Sequence, residues 1–172
     1  MNNPTKNNIP PNSEWLDIVN ENDMIIGKAP RNEIYQKRLM HRIVHVLIFN
    51  DEGEMAMQLR SKKKSFCPLH WSTTVGGHVQ TGENYEQAAL REYQEELGTV
   101  TKLHLIRTLL YRNNHGPNKF LTIYRTTYNG PFTLDPNDVE LVKFFNMDDI
   151  KYMIKNGEKF HPELLFILER IF

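Results

Sequence analysis

Three glutamates near the middle of the chain, Glu92, Glu95 and Glu96, stand at positions i, i+3 and i+4. On a helix this spacing places the three carboxylates on one face, where like charges repel by about 0.2–0.5 kcal/mol per pair. Stability alone does not favour such a cluster. A hard divalent cation would remove the repulsion, and carboxylate oxygens are the ligands that Mg²⁺ prefers. A cation so held neutralises phosphate oxygens and activates water, the two requirements for hydrolysing a phosphate–phosphate linkage. The spacing by itself also suits an ordinary solvated helix, so the neighbouring residues decide its meaning.

Those neighbours are Gly77, Glu83, Arg91 and Gly98. The elements that must position them can be read locally. Residues 84–97 form the clearest helix, opened by Asn84 with Gln87 three residues later, a capping-box pattern, and closed by Gly98. Upstream, residues 15–19 and 24–28 read as short strands and 31–39 as a short helix. Residues 41–49 read as a buried strand, turning at 50–53 into a returning strand over 54–60. A loop follows at 61–69 and a short strand at 71–75. Downstream, 103–111, 120–128 and 139–145 read as strands, and 147–155 and 161–172 as helices. Strands on both sides of a strong central helix, followed by terminal helices, predict an α/β sandwich with a mixed sheet.

The set Gly77, Glu83, Arg91-Glu92, Glu95-Glu96 and Gly98 resembles the signature of the Nudix hydrolase superfamily, with every charged and glycine position filled. Tyr93 and Thr99 depart from it, standing where aliphatic residues are usual. The resemblance implies a Nudix-type α/β/α sandwich with a mixed central sheet. It also implies Mg²⁺-dependent cleavage of a diphosphate linkage, with Mn²⁺ as the alternative metal. Glu95 and Glu96 would be the principal ligands, and Glu92 would join them or act as the base. A backbone carbonyl of the Gly76-Gly77 loop, assigned to Gly77, would add a ligand, while Glu83 and Arg91 would pair to support the box. Many members take a further acid from a later segment. Asp138 and Glu140 are the candidates here, though both also fit two solvated charges beside the Asp135-Pro136 turn.

Residues 14–61 and 70–83 further resemble the isopentenyl-diphosphate-isomerase-like branch, a likeness that extends over roughly 14–150. Isomerases of that branch carry a catalytic cysteine just before a Gly-His pair. Here Gly76 precedes Gly77-His78, and Cys67, nine residues upstream, does not replace it. His41 and His78 match two of the isomerase metal ligands, but Ile34 falls where another histidine is expected, and the strand around Lys119 and Phe120 lacks the expected glutamates. Hydrolysis is therefore the expected reaction. Isomerisation of isopentenyl diphosphate and a non-catalytic Nudix module that binds a nucleotide or a protein are the alternatives. His78 is a further candidate for a substrate or metal role. His41 and Trp71 read more simply as buried residues, and Cys67 as a loop or core thiol.

Composition sets the remaining limits. Lys plus Arg and Asp plus Glu are 21 each, which argues against a general nucleic-acid binder. Arg60 with Lys62, Lys63 and Lys64 could still draw a polyphosphate toward the site. One cysteine allows no intrachain disulfide and suits a reducing cytoplasm. No stretch approaches the roughly 20 apolar residues of a membrane span, and the start lacks the apolar core of a secretion signal. The Asn- and Pro-rich residues 1–13 are expected to form a flexible tail ahead of a single Nudix domain over 14–172. The expected partner is a small-molecule diphosphate, such as a nucleoside diphosphate derivative, selected by the loops at 61–70 and 113–119. The apolar C-terminal helix suggests a homodimer.

Overall fold

The computed structural model describes residues 14–172, and the expected tail at 1–13 lies outside the described residues. In chain order the elements are β1 (Trp15–Val19), β2 (Ile25–Pro30), α1 (Arg31–Gln36), β3 (His41–Phe49), β4 (Met55–Arg60), β5 (Trp71–Ser72) and β6 (Val75–His78). There follow α2 (Tyr85–Leu97), β7 (His104–Tyr111), β8 (Lys119–Thr127), β9 (Val139–Phe145), α3 (Met147–Lys155) and α4 (Pro162–Ile171). Among the described residues no helix is long and apolar enough to cross a membrane.

Rich in apolar and β-branched residues, β3 becomes the centre of a seven-stranded sheet of order β5-β4-β3-β8-β7, with β6 also on β3 and β9 on β4. It runs parallel to β8 and antiparallel to β4 and β6, so the sheet is mixed as expected. Alternation along β3 divides its side chains between two cores. Val44, Val46 and Ile48 pack with Ala88, Ala89, Tyr93 and Leu97 of α2. Ile43, Leu47 and Phe49 pack with Ile150 of α3 and with Leu164 and Ile167 of α4. Helices thus cover both faces, giving the α/β/α sandwich.

The helix that carries the glutamates is set by local chemistry. Asn84 Oδ1 accepts from the Gln87 N–H and Gln87 Oε1 accepts from the Asn84 N–H, both at 2.9 Å. Gly98 ends the helix at φ 68°, a left-handed conformation that glycine adopts without steric penalty. Tyr93, the departure from the signature, is fully buried, with its hydroxyl 3.4 Å from Thr101 Oγ1.

The structure corrects three boundaries. The strand expected over 71–75 is two strands, β5 and β6, separated by Thr73 and Thr74, whose hydroxyls replace ladder bonds. Thr73 Oγ1 donates to the Val75 carbonyl at 2.9 Å, and Thr74 Oγ1 accepts from the Ile48 N–H at 3.1 Å. The helix expected over 31–39 ends at Gln36, because Arg38 turns to φ 54°. The second strand begins at Ile25, after a turn whose Asp23 holds φ 59°.

Candidate active site

In the β3–β6 register, Gly77 pairs with Val44, while Gly76 and His78 pair with His45 and Ile43. Gly77 therefore faces α2, and Gly76 and His78 face α4. The Glu92 carboxyl group fills the space that a Cβ on Gly77 would need. The signature glycine is thus required by the close approach of a carboxylate.

Arg91 holds this arrangement together. Its Nε and Nη2 donate to the two oxygens of Glu83 at 2.6 and 2.9 Å, and Nη2 also reaches the His78 carbonyl at 2.9 Å. Its Nη1 donates to Glu92 Oε1 at 2.7 Å and to Glu95 Oε2 at 3.1 Å. Glu83 Oε2 in turn accepts from the Gln80 N–H at 2.9 Å. One guanidinium therefore joins the loop, the end of β6 and the helix. Glu83 and Arg91 form a bidentate ion pair at 2.6 and 2.9 Å.

The three glutamates occupy different environments. Burial pushes the Glu92 carboxyl up to about 7 against the opposing pull of Arg91, with the charges of Glu95 and Glu14 adding to the rise. Glu96 is buried and accepts from Gln58 Nε2 at 2.9 Å. Its pKa stands well above the ordinary value because of burial and the nearby charges of Glu92 and Asp138. Glu95 keeps 57% of its side chain exposed and touches only Arg91 of the box. Accordingly, no group of three or more His, Cys, Asp or Glu side chains among the described residues is already gathered around a metal position. The half-buried Glu92 nonetheless lies close enough for its charge to act on the buried Glu96, a repulsion that a divalent cation would relieve.

The other candidates separate clearly. Asp138 lies close enough to act on Glu96 and accepts a hydrogen bond from Lys64 Nζ. Glu140 is exposed on β9, and no ion pair is found for it among the described residues. Of the basic run, Lys63 donates to Asn137 Oδ1 at 2.9 Å, and Arg60 closes its own loop on the Phe66 and Cys67 carbonyls at 3.0 and 3.1 Å. Trp71 packs edge-on against Phe145 with ring centres 5.1 Å apart, a core role. Cys67 is half-buried in its loop, where burial raises its thiol pKa.

His78 approaches the carboxylates only through its backbone. Its ring lies on the α4 side, with Nε2 2.9 Å from the Tyr35 hydroxyl and stacked on His41 at 5.5 Å between centres. Burial, followed by the charge of Arg31, holds it well below the usual histidine range. Beside it lie residues that sequence reasoning missed: Glu14, 3.6 Å from His78 Nδ1, and the buried ion pair of Lys119 with Glu163 at 2.6 Å. Neither had a local signal, since partners 44 residues apart meet only once β8 and α4 are in place. A depression of about 460 Å³ lined by Leu59, Leu69, Trp71 and residues 156–159 shares no residue with either group.

Comparison with known proteins places the chain in a family. The NUDIX domain model matches residues 39–166. The chain is 32% identical over 161 residues to the uncharacterised Nudix hydrolase lmo0368 of Listeria monocytogenes, covering 92% of this chain and 93% of that protein. It is 31% identical over 137 residues to an uncharacterised Nudix hydrolase of Yersinia pestis, covering 80% and 75%. The crystal structure of DR0079 from Deinococcus radiodurans superposes with a TM-score of 0.81 at 25% identity, covering 92% of this chain and 99% of that one. The chain belongs to the Nudix hydrolase family.

Proposed function

We propose that this enzyme hydrolyses a phosphate–phosphate linkage in a nucleoside diphosphate derivative or a similar small phosphorylated metabolite, with Mg²⁺ as its metal. The observation that carries this reading is Glu92, seated against Gly77 and held by Arg91, with its charge acting on the buried Glu96. Two repelling carboxylates in a buried site suit a hard cation. Glu96 would hold it from within the site, and Glu95 would join it on leaving Arg91. The Gly77 carbonyl and Asp138 are the adjacent oxygens. Mn²⁺ has the same donor preference. When bound, the metal supplies charge neutralisation on the phosphate oxygens and a more acidic water.

The chain's own residues account for the rest. In the metal-free chain the Glu92 carboxyl has a pKa near 7, within the range suited to proton transfer at neutral pH, which supports Glu92 as the base. The water oxygen bonds to phosphorus, the water proton passes to Glu92, and the bridging oxygen leaves with the other phosphate. Arg91 keeps Glu92 oriented for that transfer. Isomerase chemistry is not supported. A Cβ at Gly76 would stand 3.0 Å from His45 Nδ1, so a cysteine there would need His45 to give way.

Phosphate release across a panel of nucleoside diphosphate derivatives, with and without Mg²⁺, tests the reading. Metal-dependent turnover that Glu96→Gln abolishes is the expected result. A protein inert toward every member, with Glu96→Gln indistinguishable from the parent, would overturn it.

A further inference from the structure

On the α4 side of the sheet lies a polar cluster that the hydrolytic reading leaves unused. His41 and Lys119 are directly paired at the starts of the parallel strands β3 and β8. Lys119 Nζ donates to Glu163 Oε1 at 2.6 Å and lies 5.5 Å from the centre of the Tyr35 ring. The other oxygen of Glu163 is 3.1 Å from His45 Nε2. Every member of this group has a hydrogen-bond partner except at one atom. His41 is fully buried, and its Nε2 has no partner among the described residues.

The chemistry of that atom is fixed by the other side of the ring. His41 Nδ1 lies 3.1 Å from the Leu39 carbonyl, which can only accept, so Nδ1 carries the hydrogen. Burial holds the His41 pKa down at about 4, with the charge of Lys119 acting in the same direction, so the ring is neutral and Nε2 presents a lone pair. The ammonium of Lys119 disfavours a metal cation there. What the atom lacks is a hydrogen-bond donor, and buried acceptors are rarely left without one.

This cluster adjoins the carboxylates across β6. His41 stacks on His78, whose carbonyl is held by Arg91. Glu14 lies beside the His78 ring and contributes to the raised pKa of Glu92. Tyr35 closes the cluster from outside. It is 39% exposed, sits on a helix of six residues, and belongs to none of the apolar clusters among the described residues.

We propose that Tyr35 covers a recognition pocket for the organic group attached to the diphosphate, in which His41 Nε2 accepts a hydrogen bond from a hydroxyl or N–H of that group. The inference rests on the hydrolytic reading for the diphosphate half of the substrate. It assigns the other half to a hydroxylated or amino-bearing class and excludes plain hydrocarbon chains. The ligand reaches His41 when the Tyr35 side chain swings away from His78.

A matched pair of substrates tests this: 2,3-dihydroxypropyl diphosphate and propyl diphosphate. The parent enzyme should favour the diol about five- to tenfold in kcat/KM, the range of one hydrogen bond. His41→Phe should bring that ratio close to one, and His41→Gln, which restores an acceptor, should recover part of it. Equal rates in the parent, or a preference that survives in His41→Phe, would overturn the proposal. Should neither compound be hydrolysed, the nucleotide panel decides the hydrolytic reading separately, and the ¹⁵N resonance of His41 Nε2 decides the pocket. A shift on adding the diol but not the propyl compound supports it, and no shift with either overturns it. The same titration of the parent decides the matter if His41→Phe does not fold.

Discussion

Gly77 and Glu92 compete for one volume: the place of a Cβ on the first is occupied by the carboxyl group of the second. The Gly77→Ala variant should therefore keep its fold and lose Glu92 from its seat against Arg91. A displacement of this kind costs about 100-fold in rate, and the overpacking about 1–3 kcal/mol of stability. Steady-state kinetics with urea denaturation measures both. A Gly77→Ala enzyme with the parent's kcat would show that Glu92 has no need of that seat.

Arg91 donates to four groups, which no lysine can match, because an ammonium lacks the planar fork. Arg91→Lys should lower stability by about 1–2 kcal/mol, reduced from a buried network because the side chain is 22% exposed. It should also lower kcat by loosening Glu92. Full retention of activity would mean that the loop and helix are held by other contacts.

The raised pKa of Glu92 makes stability depend on pH in a defined direction. Its folded value of about 7 exceeds the ordinary 4.5, so between these values the native state retains a proton that the unfolded chain has released. Without metal, the protein should lose stability relative to Glu92→Gln as pH rises from 4.5 through 7. Mg²⁺ should reverse the trend, stabilising more at pH 8 than at pH 5, since it binds the ionised form. Urea midpoints in EDTA and in Mg²⁺ across this range are the measurement, and parallel curves for parent and variant would contradict the assignment.

Lys119 and Glu163 are each buried, so removal of either leaves an uncompensated charge. Lys119→Met or Glu163→Leu alone should destabilise by about 3–5 kcal/mol, and the two together by much less than the sum. Additive single effects in a double-mutant cycle would show that the pair does not act as a unit.

What could be read from the sequence was what is encoded locally. The cap of Asn84 with Gln87, the stop at Gly98 and the strand of residues 41–49 all emerge from neighbours in the chain, and all are found in place. The split at Thr73 and Thr74 escaped because it depends on long-range contacts: Thr74 Oγ1 with Ile48 and Ala56 on neighbouring strands, and Thr73 Oγ1 with His45. Helical spacing set the three glutamates on one face but could not show that Glu96 would be drawn inward to Gln58 while Glu95 turned out toward Arg91. Glu14 and Glu163 carried no pattern at all. Each gains meaning only from the strand or helix that tertiary packing lays against it.

The alternation of β6 has a consequence for how this segment can vary in length. With Val75 held opposite Val46, one extra residue inserted after it would send Gly76 and His78 toward α2 and turn Gly77 away from Glu92. The imidazole would then meet the core of α2, and the carboxylate would lose the clearance that glycine gives it. Two extra residues would restore the sidedness. The length of this short strand is thus constrained by parity: even changes preserve the separation of carboxylates from histidines, and odd ones interchange the two.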